Sequence, residues 1–319
     1  MTTVNRGAFT KDELKHKRVG VLFGGLSSER EVSLRTGAAV SGALRSLGYD
    51  VVDIDVGKDL PARLVAEKVD VAWLAVHGRY GEDGSLQGLL ESMFIPYTGS
   101  GVLASAMAMD KVYAKQIFLA HGIPTPAYRA FQDEASALAA ADSLPFPFPV
   151  VVKPSREGSS VGVHICKTRD AYEAAVKDAV KYAGTLMVEQ FVKGREVQGG
   201  VLDDEALGVI EVRAAREFYD YDAKYKAGTG TQYLFPAPLP EAQYARVNEV
   251  CLGAHRALGC AGGSRSDVIV TEGGDVFLLE TNTLPGMTAT SLLPKIAAGR
   301  GIDFPALCER LLVGACLKA

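Results

Sequence analysis

The 319-residue sequence contains no GxxxxGK[ST] segment, which excludes a P-loop nucleotide site. It has no CxxC pair. Its five cysteines, Cys166, Cys251, Cys260, Cys308 and Cys316, are scattered and odd in number, so neither a thiolate metal site nor a disulfide framework is expected. No run of Lys and Arg interleaves with aromatics, and the net charge is −4, which argues against a nucleic-acid partner. The longest charge-free window, residues 92–109, is broken by Pro96, Gly99 and Gly101 and cannot cross a membrane as one helix. Residues 1–17 lack the apolar core of a signal peptide. These absences lead to the expectation of a cytoplasmic protein. What remains is ordinary globular composition, 48% hydrophobic and 23% charged, with mean hydropathy +0.09. The length leaves room for two or three domains. The 34 glycines fall in short clusters, the pattern of tight loops rather than of a low-complexity chain.

Residues 18–25 (RVGVLFGG) read as a buried strand ending in a glycine turn. Residues 29–47 then carry Val32, Ala39, Val40, Ala43, Leu44 and Leu47 on one helical face, and Gly48 suits a C-cap. Strands at 49–55 and 70–76 complete a β-α-β-α-β run, which implies a parallel sheet covered on both faces. The composition shifts near residues 110–111. Beyond it, strands at 150–153 and 162–166 flank a Gly/Ser loop, and a helix and a strand at 185–189 follow. Strands near 197–202 and 207–212 open the remainder. The loop 217–233 lacks apolar periodicity and is long enough to suggest a lid. A helix at 240–258, strands at 264–270 and 276–281, and a C-terminal helix after Phe304 close the chain. The fold class expected is α/β: an N-terminal doubly wound parallel-sheet domain followed by two α+β subdomains. The boundaries expected are a flexible tail at 1–17, then 18–110, 111–196 and 197–319.

Chemistry concentrates in four segments. Glu280-Thr281-Asn282 ends the apolar strand VFLLE, and residues i and i+2 of a strand share a face. Asp267, ending another strand, could complete an oxygen-only cluster suited to Mg²⁺ held against phosphates. The loop 153–162 (KPSREGSSVG) offers small residues whose N–H groups can approach phosphate oxygens, beside the point charge of Lys153. The turn 24–33 (GGLSSEREVS) leads into a helix N-terminus, which favours anions, although Ser28 and Glu31 also fit a capping box. His77 opens HGRYGEDG at a strand end, where open α/β sheets bind ligands. Solvated acids, a hairpin turn and a structural histidine are the plain alternatives. GSGVLA at 99–104 imitates a dinucleotide fingerprint, but no apolar strand leads into it.

In chain order the blocks GGLSSEREVSL, HGRYGEDGSLQGLLE, PYTGSG, MDK, VVKPSREGSSVGV, FYDYDAKY, RSDV and LETNTLPGMTATSL resemble the D-alanine–D-alanine ligase family, within the ATP-grasp superfamily. The likeness runs from about Arg18 to the last helix. It implies an ATP-grasp fold and ATP-dependent joining of two D-alanines through D-alanyl phosphate, for cell-wall peptidoglycan. It also implies roles. Lys111 and Lys153 would contact the ATP phosphates, and Glu189, Phe191, Val192 and Glu196 the adenine and ribose. Lys224 would close over the nucleotide. Asp267, Glu280 and Asn282 would bind two Mg²⁺ or Mn²⁺ ions. Glu29 would take the first D-alanine's ammonium, with Val32 and His77 lining its site. Glu29, Ser160 and Tyr225 would form a hydrogen-bonded trio. Arg265 and the backbone of Gly286 would meet charge at the reacting carboxyl, and Ser291 and Leu292 the second substrate's carboxylate. K⁺ activation and a homodimer are further implications.

Two departures stand out: Ser266 where a bulky apolar residue is usual, and the polar, glycine-rich Gln198-Gly199-Gly200. Both bear on local packing, since no ligand is lost. The alternatives are a D-alanine–D-lactate ligase, distinguished in the family at the position of Tyr225, and a non-catalytic ATP-binding sensor. The second is disfavoured because Arg265, Asp267, Glu280, Asn282 and both lysines are present.

Overall fold

The computed structural model describes residues 9–182, 184–213, 231–288 and 290–318. Lys224, Tyr225 and most of the expected lid at 217–233 therefore lie outside the described residues. The first domain contains α1 (Lys11–Lys15), β1 (Arg18–Phe23), α2 (Arg30–Ser46), β2 (Asp50–Asp55), α3 (Leu60–Ala66), β3 (Val71–Leu74), α4 (Ser85–Ser92) and α5 (Val102–Met109). Its strands form a parallel three-stranded sheet in the order β2-β1-β3. Strands β1 and β3 are apolar runs buried on both faces, as a covered parallel sheet requires. Helix α2 approaches β1 so closely at Gly37 that a Cβ there would lie 2.3 Å from the Phe23 ring.

The central subdomain runs through α6 (Lys111–Ala120), β4 (Tyr128–Phe131), α7 (Glu134–Ala139), β5 (Val150–Pro154), β6 (His164–Cys166), α8 (Arg169–Ala179) and β7 (Leu186–Gln190). Its antiparallel sheet has the order β4-β7-β5-β6. The last subdomain holds β8 (Arg195–Leu202), β9 (Glu205–Arg213), β10 (Gln232–Leu234), α9 (Glu241–Ala257), β11 (Gly263–Val270), β12 (Val276–Asn282), α10 (Leu292–Gly299) and α11 (Phe304–Val313). Its antiparallel sheet has the order β10-β9-β8-β11-β12. The expected fold class holds: a parallel-sheet domain precedes two mixed units with antiparallel sheets.

Two expectations about boundaries need correction. Residues 10–15, expected within a flexible tail, form a capped helix: Thr10 and Glu13 make a reciprocal capping box, and Leu14 is fully buried. Lys11 also pairs with Glu309 at 2.5 Å. The chain's end does not stay with its own subdomain. Helix α11 packs on α2, and one apolar cluster joins Val21, Leu44 and Trp73 to Leu311 and Leu312. Cys316 bridges to Tyr97, which itself bridges to Ala72 of β3. The parallel sheet is thus covered on one face by α2 with the chain's last helix, and on the other by the cluster around Leu64 and Leu90.

Candidate active site

A small cavity of about 110 Å³ lies where β1 and β3 end. It is lined by Glu29, Val32 and His77 from the first domain, by Gly158 and Ser159 from the loop after β5, and by Arg265, Asp267, Glu280, Asn282, Gly286, Ser291 and Leu292 from the last subdomain. Sequence-distant segments meet here because each leaves its sheet at the same edge. His77 is buried and held on several sides: Nε2 lies 3.0 Å from Thr36 Oγ1, and its carbonyl accepts from Ser27 Oγ at 2.7 Å. Its Nδ1 is 3.7 Å from Glu82. The ring is therefore fixed in orientation at the cavity wall.

A larger cavity of about 530 Å³ adjoins it, lined by Lys111, Lys153, Ser160, Glu189, Phe191, Val192, Glu196 and, again, Asp267 and Glu280. This volume falls in the range that encloses a drug-sized or cofactor-sized ligand, whereas the first admits only small molecules. Lys111 Nζ donates to the Glu157 carbonyl at 2.7 Å and sits 3.3 Å from Glu280. Deeper in, Glu189 is 2% exposed and lies between two ammonium groups, Lys153 at 2.7 Å and Lys115 against its other oxygen. Burial alone would raise the Glu189 carboxyl, but the two lysines outweigh it and hold it below the usual carboxylate range. Burial pushes the Lys115 ammonium down to about 8, with Glu189 opposing the shift.

The two cavities meet at Asp267 and Glu280, which face each other across β11 and β12. Two facing carboxylates repel unless offset. Arg265 donates to Asp267 at 2.8 and 3.3 Å, and Lys111 stands beside Glu280. Asn282 projects from the same face two residues on, and its Oδ1 accepts from the Leu284 N–H at 2.8 Å, leaving a second lone pair. Among the described residues no group of three or more His, Cys, Asp or Glu could hold a metal. Two carboxylates and an amide are a sparse, hard, oxygen-only set. That set fits a cation that takes its other oxygens from phosphate and water.

The sequence and the structure differ in detail. Glu29 accepts a hydrogen bond from Ser159 Oγ, a contact outside the expected trio of Glu29, Ser160 and Tyr225. Both serines are left-handed, with φ of 50° and 63°: Ser159 lines both cavities, as Gly158 does, and Ser160 lines the larger one. Glu189, expected at the adenine, has both carboxylate oxygens paired with lysines. Lys115 was not singled out by the sequence, because a lysine in mid-helix reads as solvated. The remaining expected residues, apart from Lys224 and Tyr225, line one cavity or the other.

The two departures noted in the sequence form a single patch. Ser266 lies opposite Gly199, and Gly200 opposite Arg265. Ser266 is fully buried behind the acids, 2.8 Å from Thr281 Oγ1, while a Cβ on Gly199 would lie 2.3 Å from Cys251 Sγ of α9. Ser266→Ile is therefore expected to lower stability by about 3 kcal/mol, through overpacking and the orphaned Thr281 hydroxyl. Turnover per folded molecule should change by less than about tenfold, because Arg265 and Asp267 face the other way. Urea unfolding and kcat on the same preparation check both parts.

The model described as D-ala D-ala ligase C-terminus matches residues 117–313, and that described as D-ala D-ala ligase N-terminus matches residues 61–100. A D-alanine–D-alanine ligase of Anaeromyxobacter dehalogenans (strain 2CP-C) is 58% identical over 303 residues, covering 95% of this chain and 98% of its own. One from Geotalea uraniireducens (strain Rf4) is 57% identical, covering 97% and 99%. The crystal structure of the Bacillus anthracis D-alanine–D-alanine ligase complexed with ATP superposes with a TM-score of 0.79 at 34% identity, covering 92% of this chain and 96% of that one. VanG D-Ala:D-Ser ligase of Enterococcus faecalis superposes with a TM-score of 0.80 at 29% identity, covering 92% and 98%. By cavity, fold and sequence alike, the chain belongs to the D-alanine–D-alanine ligase family.

Proposed function

We infer that the chain joins two D-alanine molecules to D-alanyl-D-alanine at the expense of ATP, supplying peptidoglycan synthesis. The observation that carries this reading is the meeting of a nucleotide-sized and an amino-acid-sized cavity at one pair of facing acids. Phosphoryl transfer between two substrates needs that in-line juxtaposition and charge neutralisation more than covalent help.

In the first step a carboxylate oxygen of one D-alanine attacks the γ-phosphorus, and the bond to ADP breaks, giving D-alanyl phosphate. Glu29 receives the ammonium of this D-alanine, and His77 and Val32 border it. Lys111 and Lys153 meet the phosphate charge. In the second step the amine of the other D-alanine attacks the acyl carbon. Arg265 and the N–H of Gly286 face the oxygen that becomes negative, and phosphate departs with the C–O bonding pair. The nitrogen loses a proton as the amide forms. Ser291, N-cap of α10, and Leu292 receive the second carboxylate at a helix start. Phe191, Val192 and Glu196 border the base and ribose, and Ser160 stands at the phosphate end. Lys224 and Tyr225 complete the set from the segment 217–233. Two Mg²⁺ or Mn²⁺ ions, held by Asp267, Glu280 and Asn282, supply neutralisation of the phosphates when bound.

K⁺ activation, a homodimer and a cytoplasmic location complete the proposal. Val102 and Leu103 on α5 and Tyr113 on the adjoining α6 leave apolar surface exposed, which supports a second copy as partner. No described helix is long and apolar enough to cross a membrane.

The test is phosphate release from ATP with D-alanine, L-alanine, D-lactate plus D-alanine, or no amino acid. Release dependent on D-alanine alone, with the dipeptide as product, is the expected result. Ester formation from D-lactate at comparable rates would favour the D-alanine–D-lactate alternative, and ATP binding without turnover would favour a sensor.

A further inference from the structure

We propose that Gln198 is a further polar partner of the cation cluster, its amide carbonyl accepting a hydrogen bond from a water in the ion's coordination sphere. The proposal rests on Asp267, Glu280 and Asn282 as the cation's protein ligands.

Gln198 is 1% exposed, on β8, and lines the small cavity. Its Nε2 donates to Glu196 Oε1 at 3.2 Å. A carboxylate only accepts, so this contact sets which end of the amide is which. Oε1 is then the opposite end, and it is buried with no hydrogen-bond partner. Buried carbonyl oxygens in folded proteins are paired almost without exception, and the exceptions call for an explanation.

The register supplies one. Gln198 lies directly opposite Asp267, which lies directly opposite Glu280. Residues directly opposite in antiparallel strands share a face, so the three side chains form one row across β8, β11 and β12. Neighbouring strands are about 4.8 Å apart. An ion at Asp267 is therefore within one water of the Gln198 amide. Mg²⁺ keeps several waters when bound to protein and phosphate, and each must place its hydrogens on an acceptor. A neutral carbonyl serves this purpose without adding a third negative charge beside Asp267 and Glu280. Because the other end of the same amide holds Glu196, which borders the larger cavity, Gln198 also ties the position of that acid to the cation.

The test is Mn²⁺ binding to the full-length protein with ADP, read by electron paramagnetic resonance, for wild type, Gln198→Met and Glu280→Gln. Methionine keeps the length of glutamine without an acceptor. The expected result is at least about a tenfold weaker Mn²⁺ Kd for Gln198→Met, the scale of losing a partner of a coordinating group. ADP affinity without metal should be unchanged. The melting temperature of the ligand-free variant should change little, because the deleted oxygen had no partner and the N–H bond to Glu196 lost with it is a single contact of 3.2 Å. Gln198→Ala is the second variant, with the same expected Mn²⁺ effect. Weakened binding in Glu280→Gln alone would overturn the role of Gln198 while leaving the cluster intact. Unchanged binding in both would overturn the cluster itself. An equal loss of metal-free ADP affinity would mean that Gln198 acts only through Glu196. A raised KM for D-alanine with unchanged Mn²⁺ binding would assign Oε1 to the substrate amine. Either of these last results overturns the proposal.

Discussion

Glu280→Gln should lower turnover at least about 10²-fold at saturating ATP and D-alanine, the scale of removing one electrostatic stabiliser of a transition state. The substitution preserves shape and removes only charge. Glu280 stands on the strand that borders both cavities, 3.3 Å from Lys111 and opposite Asp267. Its side chain is one-third exposed, so the ion pair itself contributes little, less than about 1 kcal/mol, to folding. A large kinetic loss with a nearly unchanged urea midpoint is therefore expected. Turnover close to wild type in excess Mg²⁺ would reject Glu280 as a cation ligand.

Lys115→Met should have the opposite signature, with stability suffering first. The wild-type ammonium is fully buried, and together with Lys153 it compensates the buried Glu189 carboxylate. Removing one partner of a buried pair leaves charge uncompensated, at a cost of about 3–5 kcal/mol. ATP affinity should fall as well, because Lys153 then becomes the principal counter-ion of Glu189 and is drawn from the nucleotide cavity. The pH dependence follows from the direction of the Glu189 shift. Its folded carboxyl is below the ordinary value of 4.5, so it contributes stability above that pH. The contribution is lost as pH falls through the folded value, where the folded state must also take up the proton. Wild type should thus lose stability steeply below about pH 4.5, and Lys115→Met less steeply, having less depression of Glu189 to lose. Chemical unfolding at a series of pH values measures both; a variant as stable as wild type would refute the buried pairing.

The strand carrying Glu280 and Asn282, the loop after β5 and the His77 turn were legible in the sequence because their spacing is local. Glu280 and Asn282 share a face by strand geometry alone, and a run of small residues around Ser159 and Ser160 announces a loop. The contact of Ser159 with Glu29 was not legible, since two successive left-handed residues obey no periodicity and their aim depends on the closed loop. Lys115 was hidden for a different reason. Helix α6 presents it to Thr125, the Pro126 carbonyl and Glu189, which belong to segments that only the tertiary fold brings under the helix. The first helix was the reverse case: Thr10 and Glu13 carry a capping signature that can be read directly, but the burial of Leu14 depends on a cluster that also draws on the distant C-terminal helices. Likewise Gln198 read as a packing irregularity until the register set it beside Asp267.

The return of α11 onto α2 sets an order on synthesis. A ribosome delivers β1, α2 and β3 first, and these can pair as soon as they emerge. The side of α2 and the sheet that carries Val21, Leu44 and Trp73 has no permanent cover until Leu311 and Leu312 arrive. The parallel-sheet domain is thus completed only after α11 is made, and until then the nascent chain carries apolar surface that chaperones bind and aggregation exploits. A stop codon just before Phe304 would remove none of the expected active-site residues, yet leave that face bare. Such a chain should fail by insolubility rather than by loss of chemistry.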